Sequence, residues 1–211
     1  LTNKKTTQKG ELKQVHLTLE QAAAWVKPRV SARRFQHIEG VVATASQLAK
    51  RFDCDPYLAQ LAAWLHDACK EKKDSELIEQ AKGYGLVLSE ADEKNGHLLH
   101  GPVAAKLVEK ELQIENDDVL RAMAEHTLGA KAMSRLSKIV FLADALEPGR
   151  PADYTAPIWH VLSIGDNSES TLNTAVLATL DANLADLIAC QRAIHPKTVD
   201  VRNYYLELVK D

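Results

Sequence analysis

Six residues carry most of the chemistry this chain could perform: His37, His66, Asp67, His100, His126 and Asp144. His66 and Asp67 are adjacent in Leu65-His66-Asp67-Ala68-Cys69-Lys70, at the end of an apolar run. Imidazole and carboxylate are costly to bury unless they are paired or bind a metal. His37 sits beside Ile38 and Val41 on an apolar helical face, and Asp144 lies inside Ile139-Val140-Phe141-Leu142-Ala143-Asp144-Ala145-Leu146. His100 opens one helical segment and His126 closes another. Any one of these residues, taken alone, reads as a satisfied core or surface group. Six of them in apolar stretches or at their edges call for a shared partner.

The elements that must position these residues are helices. Thr18-Leu19-Glu20-Gln21 has the pattern of a capping box, opening a helix that ends near Pro28. Ser31 is the expected N-cap of the next helix, along which Phe35, Ile38, Val41, Val42, Ala45, Leu48, Ala49 and Phe52 follow helical spacing. Asp55-Pro56 starts a helix expected to run to about Lys70, with proline at its first position. Asp74 is expected to cap a short charged helix that stops near Gly83, followed by a loop to about Leu99. Further helices are expected over roughly 100–112, 117–127, 133–146, 156–164 and 169–192, and after Pro196. No alternating strand pattern of useful length is visible. The expected fold is therefore all-α, a helical bundle over 31–150 with a C-terminal helical cover over 151–211. Residues 16–211 read as one domain, preceded by a flexible tail over 1–15.

Composition narrows the function. Nine Gly and seven Pro in 211 residues fall below the usual ~12%, which favours helices. The net charge of −3 gives no electrostatic footprint of a protein that coats nucleic acid. Residues 1–14 lack the apolar centre of a secretory signal, and no apolar run approaches the ~18 residues a spanning helix needs. Three widely spaced cysteines without a CxxC pair fit a reducing, cytoplasmic compartment. A small-molecule enzyme fits these limits; a nucleic-acid or membrane partner is not expected.

The order His37 … His66-Asp67 … Asp144 resembles the HD-domain metal-dependent phosphohydrolases, and His100 with His126 resembles their dinuclear branch. The segments Arg34-Phe-Gln-His37, Leu65-His66-Asp67-Ala-Cys-Lys70, His100-Gly101, His126-Thr127-Leu-Gly129, Met133-Ser134, Asp144-Ala-Leu-Glu147-Pro148-Gly-Arg150 and Ile194-His195-Pro196 together look like the YqeK family, symmetrical bis(5′-nucleosyl)-tetraphosphatases. The likeness covers about residues 30–209. It departs at Ala145 and Leu146, where the family more often has an aromatic residue and Ile, and at Gly149, where it often has Asn.

The resemblance implies metal ligation by His37, His66, Asp67 and Asp144, a second ion on His100 and His126, and Asp67 as the bridging carboxylate. It implies symmetrical hydrolysis of diadenosine tetraphosphate to two ADP through a metal-bridging hydroxide, and it points to iron. Imidazole-rich ligation suits Fe, Zn, Mn, Ni or Co better than Mg or Ca. Four neutral imidazoles leave only the two carboxylate charges, which two divalent ions more than offset. Such a site attracts a polyphosphate anion. Asp67 and Lys70 are the expected catalytic groups, and Arg34, Lys70, Thr127 and Arg150 the expected substrate contacts. Glu71 and Asp74 read as surface charges, and His195 as ordering the last helix. Exposed apolar faces on the C-terminal helices leave room for a homodimer. Two other classes stay open at this level: a different HD phosphohydrolase acting on nucleotides, alarmones or cyclic dinucleotides, and a nucleotide-binding module without turnover.

Overall fold

A computed structural model describes residues 17–210. The tail expected over 1–15 lies outside this range, as do residues 16 and 211. No strand occurs among the described residues. Eleven α-helices do: α1 (Leu19–Val26), α2 (Ala32–Arg51), α3 (Pro56–Leu65), α4 (Asp74–Gly83), α5 (Glu90–Lys94), α6 (His100–Leu112), α7 (Asp117–Glu125), α8 (Arg135–Leu146), α9 (Ala152–Ile164), α10 (Glu169–Ala189) and α11 (Pro196–Leu208).

Local chemistry starts most of them. Thr18 and Gln21 form the reciprocal box that opens α1. Ser31 caps α2 by accepting from the Arg34 N–H, and Asp55 caps α3 from in front of Pro56. Ser134, Ser168 and His195 do the same for α8, α10 and α11. Side-chain caps of this kind satisfy N–H groups that a helix start leaves orphaned.

The bundle is assembled around α8. Nearly every residue from Leu136 to Leu146 is buried, and α8 packs against α2, α3, α7 and α10. The α2 face formed by Ile38, Val41, Ala45 and Leu48 closes over it and over α3. The C-terminal helices are fastened by polar pins. Buried Lys138 on α8 donates to Glu169 and to Asn173 on α10. Arg51, closing α2, donates to Asn167 and to the Gly165 carbonyl between α9 and α10.

Several boundaries differ from the expectations. The helix expected to reach Lys70 stops at Leu65, with His66 as its C-cap. The His66 ring takes up the Ala63 carbonyl at 2.6 Å, the acceptor a continuing helix would offer the Asp67 N–H. From there Ala68, Lys70 and Lys72 each donate to the carbonyl three residues back. Lys70 is therefore not one α-helical turn beyond His66. Lys73, not Asp74, is the N-cap of α4. The expected 84–99 loop contains α5, capped by Ser89 with Asp92 in a reciprocal box, and a 3₁₀ turn over Gly96–Leu99. An aspartate at the third position replaces the Glu or Gln of the usual box. The helix expected from 156 begins at Ala152, and the one expected to reach 192 ends at Ala189.

Candidate metal centre

Three of the four candidate histidines share one local device. His66 ends α3, His100 follows the 3₁₀ turn over Gly96–Leu99, and His126 ends α7. Helix ends leave carbonyls without intrahelical donors. Each ring turns its Nδ1 onto the carbonyl three residues earlier: His66 to Ala63 at 2.6 Å, His100 to His97 at 2.5 Å, His126 to Met123 at 2.7 Å. A carbonyl only accepts, so each Nδ1 carries the proton and each Nε2 presents a lone pair. Fixing the tautomer through the far nitrogen is how metal-binding histidines are oriented.

His37 comes from α2 and is half-buried. Its Nδ1 lies 3.1 Å from Glu147 Oε1, and its Nε2 lies 3.1 Å from Asp144 Oδ1. Glu147 also accepts from the Gly149 N–H at 2.7 Å, which holds the carboxylate in place.

Asp67 stands at the middle. Its Oδ1 faces His100 Nε2 at 3.2 Å and His126 Nε2 at 3.5 Å. Its Oδ2 faces His66 Nε2 at 3.5 Å and His37 Nε2 at 3.6 Å. One carboxylate thus presents one oxygen to each pair of imidazoles. Donor atoms of His37, His66 and Asp67 lie within 4.8 Å of one another, as do those of Asp67, His100 and His126, and those of His66, His126 and Asp144.

Electrostatics favours the ligand form of His66, His100, Asp67 and Asp144, whereas His37, which burial would push down, is raised by the Asp144, Asp67 and Glu147 carboxylates around it. Burial pushes the His66 and His100 imidazoles down to about 4, leaving them neutral at pH 7. Burial would raise the Asp67 carboxyl, but the imidazoles around it outweigh that and hold it well below the carboxylate range. Asp144 is likewise opposed by burial and held low by His37 and Arg150.

The donor set fits metal ions. The Nε2 of fully buried His66 has no hydrogen-bond partner, a costly state that a cation relieves. His100 Nε2 and His126 Nε2, both lone-pair atoms, are 2.9 Å apart. That is close to the span of two ~2.1 Å metal–nitrogen bonds at a right angle. The Thr127 hydroxyl, 3.2 and 3.1 Å from these two nitrogens, has one proton to offer both.

The candidate substrate contacts all lie against this cluster. Arg34 Nη1 pairs with Asp67 Oδ2 at 2.9 Å, and Arg150 Nη2 with Asp144 Oδ1 at 2.6 Å. Lys70 Nζ lies 3.4 Å from His100 Nε2; burial pushes its ammonium pKa down, against the pull of Asp67 and Asp144. Sequence reasoning gave Glu147 no role, although the residue stood in a quoted motif; nothing in its spacing signals that it meets His37. Glu71, read as a surface charge, accepts from both the backbone N–H and the hydroxyl of Ser31, at the start of the helix that carries His37. His195 caps α11 and pairs with Asp92 at 3.3 Å.

The HD domain family matches residues 34–149. A symmetrical bis(5′-nucleosyl)-tetraphosphatase of Halalkalibacterium halodurans is 36% identical over 86% of this chain and 93% of its own. Its namesake from Staphylococcus aureus is 31% identical over 90% of this chain and 95% of its own. A solved structure from Clostridium acetobutylicum, described as a predicted HD superfamily hydrolase involved in NAD metabolism, superposes with a TM-score of 0.82 at 29% identity, covering 90% of this chain and 98% of that one. With its His-Asp pair at the junction of two imidazole clusters, the chain belongs to the HD-domain family and, within it, to the family of the symmetrical bis(5′-nucleosyl)-tetraphosphatases.

Proposed function

We propose that this protein is a metal-dependent hydrolase that splits diadenosine tetraphosphate in the middle, releasing two ADP. The observation that carries the metal chemistry is the division of Asp67, one oxygen towards His37 and His66 and the other towards His100 and His126. His37, His66 and Asp144 would hold one ion and His100 and His126 a second, with Asp67 as the ligand shared between them. Ions bound there supply an activated water and offset charge on the attacked phosphoryl group.

The chain's own residues do the rest. Asp67 holds both halves of the donor set in one register. Glu147 holds the His37 ring, and the carbonyls of Ala63, His97 and Met123 hold the other three. Lys70 places an ammonium beside His100, where negative charge develops as the inner phosphorus is attacked. Arg34 and Arg150 flank the cluster and exchange their carboxylate partners for phosphate oxygens, which a guanidinium grips in two-pronged fashion. Thr127 adds a hydroxyl donor.

Iron is proposed as the working metal on the likeness to the family; the imidazole-rich donor set suits Fe, Mn, Zn, Ni or Co alike. A reducing, cytoplasmic setting is supported by three free cysteines. No helix among the described residues is long and apolar enough to cross a membrane. A homodimer through the C-terminal helices is supported by exposed Trp159, Ile164 and Ile188. Incubation of metal-loaded protein with diadenosine tetraphosphate tests the activity. ADP as the sole nucleotide product is expected; AMP with ATP would overturn the symmetrical reading. Elemental analysis after anaerobic purification tests the iron.

A further inference from the structure

The centre opens on two sides. Towards the C-terminal cover lies a cavity of about 450 Å³, with Thr127, Phe141, Tyr154, Asn183 and Arg192 on its walls. Beside the first turns of α2 lies a second, of about 840 Å³, with Arg33, Arg34, Gln36 and Pro148 on its walls. His126 and Asp144 line the first, His37 lines the second, and Arg150 and Pro151 line both. The ligand cluster therefore sits where the two cavities meet. Each volume falls within the ~300–1,000 Å³ of small-molecule sites. A mononucleotide hydrolase needs one such cavity.

We propose that the cavity beside α2 is the subsite for the second nucleoside diphosphate half of the substrate, with Arg33 as its outer anchor. The inference rests on the dinucleotide reading above and extends it to residues that reading does not use. Arg33 is exposed and has no hydrogen bond or ion pair with any described residue. The two carboxylates in the same cavity are already committed: Glu71 to the Ser31 N–H and hydroxyl, Glu147 to the Gly149 N–H and His37. Among the described residues Arg33 is thus the unpaired charge of that cavity, and an anion is what it takes.

The other cavity mirrors this: the exposed Arg192 side chain on its wall has no hydrogen bond or ion pair with any described residue. Arg33, Arg34 and Arg150 line the α2 cavity, and Lys70, Arg150 and Arg192 line the cover cavity, with the ligand cluster between them. A polyphosphate with a nucleoside at each end has the same layout of charge. The walls differ in kind. Phe141 and Tyr154 offer aromatic surface for a base on the cover side, whereas no Phe, Tyr or Trp lines the α2 side. The α2 subsite holds its half through phosphate charge, and the cover side reads the base.

Titration calorimetry of the metal-loaded full chain with ADP tests this. Two ADP per chain are expected for the wild type. Arg33→Glu is expected to retain one, and Arg33→Gln to weaken one site without removing it. Arg33→Glu is also expected to raise KM for diadenosine tetraphosphate about tenfold, the loss of one charge-assisted contact. A single ADP in the wild type, or two unweakened sites in Arg33→Glu, overturns the subsite. If the wild type binds two ADP but leaves the dinucleotide uncut, the activity falls and the subsite stands. If it releases ADP yet binds only one, the subsite falls and the activity stands.

Discussion

The two sides of the centre are held by different means. On the α6–α7 corner, His100 and His126 are fixed by their own chain, through carbonyls three residues away. On the α2–α8 side, His37 and Asp144 are fixed by carboxylate and guanidinium groups beyond the end of α8, Glu147 and Arg150. The corner is also the more deeply buried: His100 is inaccessible and His126 nearly so, whereas the Asp144 side chain keeps 21% of its surface exposed. Backbone carbonyls in a packed corner cannot swing away. Side-chain partners on the Glu147–Pro151 break can. One half is thus held by backbone in a packed corner, and the other, held by side chains, is the more open.

Removing what joins the halves has the largest expected effect. Asp67→Ala takes an oxygen from both, and turnover is expected to fall by roughly 1,000-fold or more, with metal lost. Normal activity and full metal content in that variant would break the bridge assignment. His100→Ala strikes the corner alone. Elemental analysis is expected to show one ion gone and the other kept, with a rate loss of about 100-fold or more. If both ions remain, His100 is not a ligand.

Two glycines then compare the rigidity of the sides directly. A Cβ on Gly101 would stand 2.7 Å from the Met123 carbonyl and 3.0 Å from the His126 ring. The backbone there cannot yield, so Gly101→Ala is expected to cost about 1–3 kcal/mol in denaturant unfolding and to loosen metal at the corner. Glu147→Gln keeps an oxygen for His37 but loses its charge. Activity is expected to drop about tenfold, the low end for outer partners of a metal ligand, with the corner ion unaffected. On the open side, a Cβ on Gly40 would meet Glu147 Oε2 at 3.0 Å and Pro148 Cδ at 3.2 Å, both side-chain atoms beyond the end of α8 rather than backbone. Gly40→Ala is expected to be the mildest of these changes. A loss equal to that of Gly101→Ala, in unfolding or in metal content, would erase the distinction between the two sides.

The helices were legible because their signals are local. Thr18 with Gln21, Ser31, Asp55 before Pro56, and Pro196 each act within a few residues, and the structure puts helix starts at all of them. The errors came where a distant or unfamiliar interaction decides. The end of α3 is set by the His66 ring bonding to Ala63, which no breaker residue announces. The box at Ser89 uses Asp92 in place of the longer acid, so the start of α5 lacks the usual sequence mark. Glu71 carries no local mark that sets it apart from a surface charge, because its partner Ser31 is 40 residues away in the chain.

Residue type and order by themselves determined that this chain is helical, which six side chains were chemically out of place in apolar surroundings, and which family they resemble. Those properties follow from periodicity, capping and the cost of burying polar groups, all readable one segment at a time. Only the tertiary structure decided which oxygen of Asp67 faces which imidazoles, that Glu147 stands behind His37, and that the cluster lies between two cavities of unlike walls. Those facts depend on how α2, α6, α7, α8 and the C-terminal helices pack together, and contacts between segments so far apart in the chain leave no local pattern in it.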